Sequence, residues 1–174
     1  MSVERRTGLP EKAIIIREAS GGDHAAVVAM LAPVIAAGET YALPRDMDAQ
    51  ALAGYWFESG KRTFVACDGE GALLGSYYCR ANQMGGGAHV ANCGYVTAPA
   101  AQGGGVARAM ALHSFDIARM AGFTAMQFNF VVASNSRAVA LWRSLGFEDV
   151  GRVPEAFAHP TLGLVDALIL FRRL

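Results

Sequence analysis

The run AAQGGGVARAM, residues 100–110, sets three consecutive glycines directly before a segment that reads as a helix. Glycine loses the most backbone freedom on folding, so Gly103, Gly104 and Gly105 call for a sharp turn or for a ligand approaching bare main chain. A strand, a glycine turn and a helix start together present unpaired N–H groups at the positive end of a helix dipole. Such a cradle suits an anion, phosphate above all. Val106 and Ala107 stand where a P-loop needs Lys-Ser/Thr, and the next strand, FTAMQFNFVV, lacks the acidic residue of a dinucleotide fingerprint. A tight turn that binds nothing is the alternative at this point.

A second constellation is neutral. Asn92 and Asn129 fall inside apolar strand patterns, and Asn135 stands where a helix begins. Amides in such places must find partners or cost free energy. Strand alternation puts Asn92 on one face with Gly94, and Asn129 with Gln127 and Val131. Converged, the three asparagines would make a site rich in neutral hydrogen-bonding groups. The alternative is that Asn135 only caps its helix and the others bond backbone. Glu39 and His89 are the candidates for taking a proton, directly or through water, against readings as an exposed loop charge and an ordinary strand-end residue. His113, within a helix, and His159, in a tail loop, gain no role.

The elements that must position these residues follow from pattern. AIIIRE (13–18) reads as a strand. Ser20 and Asp23 fit a helix-start capping pattern for a helix over 21–36, which Pro33 should kink or end. A second helix is expected over DMDAQALAGYWFESG (46–60). RTFVACD and ALLGSYYCRAN flank DGEG as a hairpin. QMGGG (83–87) is a turn, and AHVANCGYVTA the next strand. A helix over 104–121 carries Val106, Met110, Ile117 and Met120 at helical spacing and is closed by Gly122. After FTAMQFNFVV, a helix runs from Asn135 to a Gly146 stop. FEDVGRV and VDALILFRR complete the chain as strands. One mixed α/β domain over 13–174, with a polar tail at 1–12, is the expectation.

Composition narrows the partners. The chain has 174 residues, 53% hydrophobic and 17% charged, with 15 basic and 15 acidic side chains. That balance favours a globular fold and gives no basic patch for nucleic acid. No apolar run reaches the roughly 18 residues of a membrane span, and the start carries no signal-peptide stretch. Cys67, Cys79 and Cys93 have neither disulfide-framework nor zinc-ligand spacing and read as buried thiols, most simply in the cytoplasm.

Gln102-x-x-Gly105-x-Ala107 resembles the Q/R-x-x-G-x-G/A signature of the GNAT superfamily of N-acetyltransferases. GYVTAPAAQGGGVARAM is similar to that family's fourth strand, pyrophosphate loop and third helix, and NSRAVALWRSLGF to its later block. The two blocks at their proper separation, with the element order, extend the resemblance over roughly 13–173. It implies a mixed, mostly antiparallel sheet splayed between its fourth and fifth strands, with helices on both faces. Acetyl-CoA would be the co-substrate, with no metal. Gln102, Gly103, Gly104, Gly105, Val106 and Ala107 would hold its pyrophosphate, and Tyr95, Val96 and Thr97 would pair their main chain with its pantetheine arm. A main-chain N–H near Val96 or Thr97 would stabilise the oxyanion formed when an amine attacks the thioester.

Where many members carry a tyrosine as general acid, this chain has Trp142, whose indole N–H keeps its proton at ordinary pH. Trp142 is expected to pack against the CoA arm or to fill core. HVANCGYV, FNFVVASNSRAVALW and GRVPEAF are similar to fungal proline-analogue N-acetyltransferases, as is the loop AAGETYALP, which would wall the acceptor pocket and carries Glu39. This implies that Asn92 and Asn129 hold the acceptor's carboxylate, that Asn135 serves the reacting centre and the carrier, and that the protein is a dimer. The acceptor is then a small amino or cyclic imino acid. A non-catalytic CoA-binding module and an enzyme for protein or peptide amines are the competing readings.

Overall fold

The computed structural model describes residues 13–174; the expected tail at 1–12 lies outside them. The strands are β1 (Ile15–Glu18), β2 (Arg62–Cys67), β3 (Leu73–Ala81), β4 (Val90–Thr97), β5 (Ala125–Val132), β6 (Glu148–His159) and β7 (Gly163–Arg173). The helices are α1 (His24–Ala37), α2 (Ala49–Trp56), α3 (Val106–Met120) and α4 (Ser136–Ser144). One 7-stranded sheet runs in the order β1-β2-β3-β4-β5-β7-β6. Every neighbouring pair is antiparallel except β4 and β5.

Two cores lie on opposite faces of the sheet. On one, Val27, Met30 and Leu31 of α1 and Trp56 of α2 meet Val65, Tyr78 and Val96. On the other, Met110, Phe115 and Ala118 of α3 and Val139 and Trp142 of α4 meet Tyr77, Ala91, Met126 and Phe128. The mixed, doubly covered sheet matches the expected fold class. The three cysteines are free and buried.

Local chemistry explains most element ends. The Asp48 carboxylate accepts from Ala51 N at 2.8 Å and opens α2. Left-handed Gly122 and Gly146 close α3 and α4 with the same pair of bonds: Gly122 N to Arg119 O and Phe123 N to Ala118 O, then Gly146 N to Arg143 O and Phe147 N to Trp142 O.

Some expectations give way to tertiary structure. Pro33 lies inside α1 instead of ending it, because burial of Leu31 and Ile35 on either side outweighs the one bond its missing N–H removes. The helix itself begins at His24, after a 3₁₀ turn over Gly21–Asp23. Met120 is 83% exposed, while Ser114 and Phe115 take the buried face of α3. β6 runs through Pro154 to His159, well past its expected end. It tolerates the proline because it is the edge strand, and the register against β7 shifts between Val153 and Phe157. His159 therefore ends a strand and does not lie in a loop.

Candidate active site

The parallel pairing of β4 with β5 covers only Val90↔Ala125 and Ala91↔Met126. Beyond Ala91 the strands part. A cavity of about 700 Å³ fills the opening, lined among others by Asn92, Tyr95, Val96, Thr97, Asn129, Asn135 and Trp142.

Main-chain direction along β4 decides which groups the opening receives. Val90 O accepts from Asn82 N, and Ala98 N donates to Leu74 O, so even-numbered residues turn their peptide groups to β3. His89 O accepts from Thr124 N, on the β5 side. Tyr95 and Thr97 share that parity and offer their main chain to the cavity. Val96 lines the wall but departs from the sequence expectation, since its main chain is turned to Ser76 of β3. The Tyr95 carbonyl is itself occupied by the Tyr41 hydroxyl at 2.7 Å, which leaves its N–H.

The glycine turn behaves as a cradle. Gly103 and Gly105 are left-handed, at φ 82° and 79°, and a Cβ on either would meet no protein atom within 4 Å. Among the described residues, no acceptor takes the N–H groups of Gly103, Gly105, Val106, Ala107 or Arg108. Gln102, Gly103, Gly105, Val106 and Ala107 line the cavity. Gly104 does not, and its N–H donates to Ala101 O at 3.2 Å, so it serves the turn itself. Open amides at a helix N-terminus fit a diphosphate.

The asparagines form a chain across the split. Asn92, 8% exposed, donates from Nδ2 to Gln127 O at 2.9 Å. Gln127 Nε2 reaches Asn129 Oδ1 at 2.9 Å, and Asn129 Nδ2 reaches Asn82 Oδ1 at 2.6 Å. Each NH₂ keeps a second proton for a ligand. Val131 does not share their face, because a bulge between Phe128 and Val131 shifts the alternation and turns Val131 to the α3 side. Asn135 caps α4, its Oδ1 accepting from Ala138 N at 3.3 Å.

Trp142 is both core and wall. Its ring lies 4.9 Å from those of Tyr95 and Phe128. The Tyr95 hydroxyl turns away from the opening to Ser114 Oγ at 2.7 Å, and burial raises its pKa. Glu39 and His89 are not among the lining residues, and His89 Nδ1 lies 3.1 Å from Gly86 O. His113 is bonded through Nδ1 to the Tyr77 hydroxyl at 2.6 Å, and burial lowers its pKa.

The Acetyltransferase (GNAT) family matches residues 33–147, a span that holds the glycine cradle, both parted strands and α4. The chain belongs to the GNAT family. A GCN5-related N-acetyltransferase from Kribbella flavida is 42% identical, with a TM-score of 0.89 over 93% of this chain and 98% of that one. N-acetyltransferase aca1 of Schizosaccharomyces pombe is 32% identical over 108 residues, 60% of this chain and 51% of that protein, so this chain spans about half the length of that curated relative. A phosphinothricin acetyltransferase from Sinorhizobium meliloti, solved with AcCoA, shares the fold at a TM-score of 0.81 and 21% identity, over 92% of this chain and 88% of that one. No helix among the described residues of this GNAT family member is long and apolar enough to cross a membrane. Nor do the described residues hold a group of three or more His, Cys, Asp or Glu able to bind a metal ion.

Sequence reasoning missed several wall residues of this GNAT family member. Tyr41, Tyr55, Tyr78 and Arg80 all line the cavity. The Tyr55 and Tyr78 hydroxyls lie 3.2 Å apart, and burial raises the pKa of Tyr41 and Tyr78. Tyr41 sits in AAGETYALP, a loop already expected to wall the acceptor side; the others had no local signal.

Proposed function

We propose that this enzyme moves the acetyl group of acetyl-CoA to the nitrogen of a small amino acid or cyclic imino acid, with proline analogues as the representative class. The opening between β4 and β5 carries the reading, with unpaired amides where α3 begins and a chain of side-chain amides at the crotch. Acetyl-CoA supplies an activated acyl carbon and a thiol of pKa near ~8.5 as leaving group, which needs only modest acid assistance.

The protein's own part is orientation and charge stabilisation. Gly103, Gly105, Val106 and Ala107 hold the diphosphate through their N–H groups, with Gln102 beside them. Tyr95 N–H and the Thr97 main chain align the arm, and Trp142 packs along it. The same exposed N–H groups of β4 take the developing oxyanion. Asn92 and Asn129 use their spare N–H protons on the acceptor's carboxylate. Asn135 turns its Nδ2, free of protein acceptors among the described residues, toward the reacting centre.

Among the described residues, no Asp, Glu, His or Lys lines the cavity. Burial raises the pKa of the lining Tyr41, Tyr78 and Cys93, which disfavours their anions as bases, and this reading sends the acceptor ammonium's proton to solvent. Below the acceptor amine's own pKa, kcat/KM is expected to rise about tenfold per pH unit and then level off. A break at another pH, constant across acceptors of different basicity, would instead reveal a protein base.

The direct test follows thiol release from acetyl-CoA with proline analogues, ordinary amino acids, polyamines and peptides. Turnover of small acids is expected. Turnover of peptides alone reassigns the acceptor. Binding of acetyl-CoA with no turnover leaves a CoA-binding module, the reading that Trp142 in the usual tyrosine position favours. A homodimer through the β6–β7 hairpin belongs to the same proposal, since Val150, Val153, Leu162 and Leu164 are exposed there; light scattering reads its mass.

A further inference from the structure

The cavity walls carry charge of one sign. Arg80, Arg108 and Arg137 line them, and no acidic side chain among the described residues does. Arg108 lies in the first turn of α3 and Arg137 in the first turn of α4, beside the end of the opening assigned above to the carrier. Arg80 has a different address. It is on β3, directly opposite Asn92 in register, two residues on from Tyr78 and so on the same face.

Among the described residues, Arg80 has only a distant ion-pair partner, which it shares with Lys61. Its side chain is 42% exposed, and the nearest carboxylate oxygen, Glu58 Oε2, is 3.9 Å from its Nη1, beyond hydrogen-bond length. That same oxygen is 3.2 Å from Lys61 Nζ. Lys61 is buried beneath the Tyr55 and Tyr78 rings, 4.0 and 4.4 Å from their centroids, and at 3.2 Å it is the closer partner of Glu58. Arg80 Nε is buried without a hydrogen-bond partner among the described residues. A half-covered guanidinium with unfilled donors is costly until an anion completes it, and its planar fork matches a carboxylate.

We propose that Arg80, with the spare N–H of Asn92, is the carboxylate anchor of the acceptor site, so that the enzyme selects amines carrying an adjacent anion over the corresponding amides. This rests on the small-acid reading and deepens it. Asn92 and Asn129 alone supply neutral donors, whereas Arg80 supplies the charge that separates an acid from its neutral analogue. Lys61 does not take that role, being paired with Glu58 and roofed by aromatic rings.

The experiment compares L-azetidine-2-carboxylate and L-proline with their carboxamides, using the native chain, Arg80→Gln and Arg80→Lys. Acetyl-CoA KM and thermal melting are measured alongside. The native enzyme is expected to favour the acids. Arg80→Gln should raise the KM for the acids roughly ten- to hundredfold, the worth of one charged hydrogen-bonded contact, and abolish the preference. Acetyl-CoA KM should stay unchanged, and Arg80→Lys should restore part of the preference. An undiminished acid-to-amide ratio in Arg80→Gln overturns the anchor and leaves the small-acid reading standing. Failure of the native enzyme to acetylate either acid removes that reading, and the anchor with it.

Discussion

Replacing Gly105 by leucine is expected to remove measurable acetyl-CoA binding while leaving the protein folded. Gly105 sits at φ 79°, lines the cavity, and carries no protein atom within 4 Å of where its Cβ would be. The fold has room for a side chain there, and the left-handed backbone adds a strain of about 1–2 kcal/mol. The ligand has no such room, because the side chain would fill the space in front of the unpaired amides. Charged hydrogen bonds are worth about 1.5–3 kcal/mol each, so losing two lowers affinity by roughly 10²- to 10⁴-fold. Gly122→Leu provides the control: it has the same left-handed conformation, at φ 85°, and the same open surroundings at the far end of α3. It should lose comparable stability and bind normally. Titration calorimetry giving native affinity for Gly105→Leu would show that the phosphates sit elsewhere.

That prediction was accessible from sequence because the cradle is local. Gly103, Gly105 and the start of α3 are neighbours in the chain, and the need for positive φ is written in the glycines themselves. The caps at Asn135, Gly122 and Gly146 are legible for the same reason, while the cap at Asp48 falls inside the helix expected over 46–60. What was not legible is long-range. Tyr41 meets Tyr95 across 54 residues and Asn129 meets Asn82 across 47. Such pairs arise from topology, and no periodicity encodes them. The bulge after Phe128 is a further case: alternation predicts a face for Val131, and one inserted residue reverses it. The length of β6 was hidden because Pro154 reads as a stop, a rule that an edge strand suspends. Arg80 carries no local signal; register sets it opposite Asn92, and Glu58 lies closer to Lys61 than to it.

Asn135 separates structure from chemistry most sharply, because its two side-chain atoms have different employments. Oδ1 accepts from Ala138 N and holds the first turn of α4, and Nδ2 is available to the cavity. Asn135→Asp keeps the acceptor and the shape of the cap, and a carboxylate at a helix N-terminus is favourable. It removes the donor and adds a negative charge, so the donor's share is read from the agreement between this variant and the neutral Asn135→Ala. Its melting temperature should therefore match or exceed that of the native chain, while kcat falls about 10²-fold, the usual worth of one donor aimed at transition-state charge. Asn135→Ala removes both atoms. It should show a similar fall in kcat together with a loss of about 1 kcal/mol in stability. Acetyl-CoA affinity should change far less than turnover in either variant, since the cradle amides are untouched. Were Asn135→Asp to turn over at the native rate, the residue would be a helix cap and nothing more, and the weight of catalysis would pass to the main-chain N–H groups of Tyr95 and Thr97 alone.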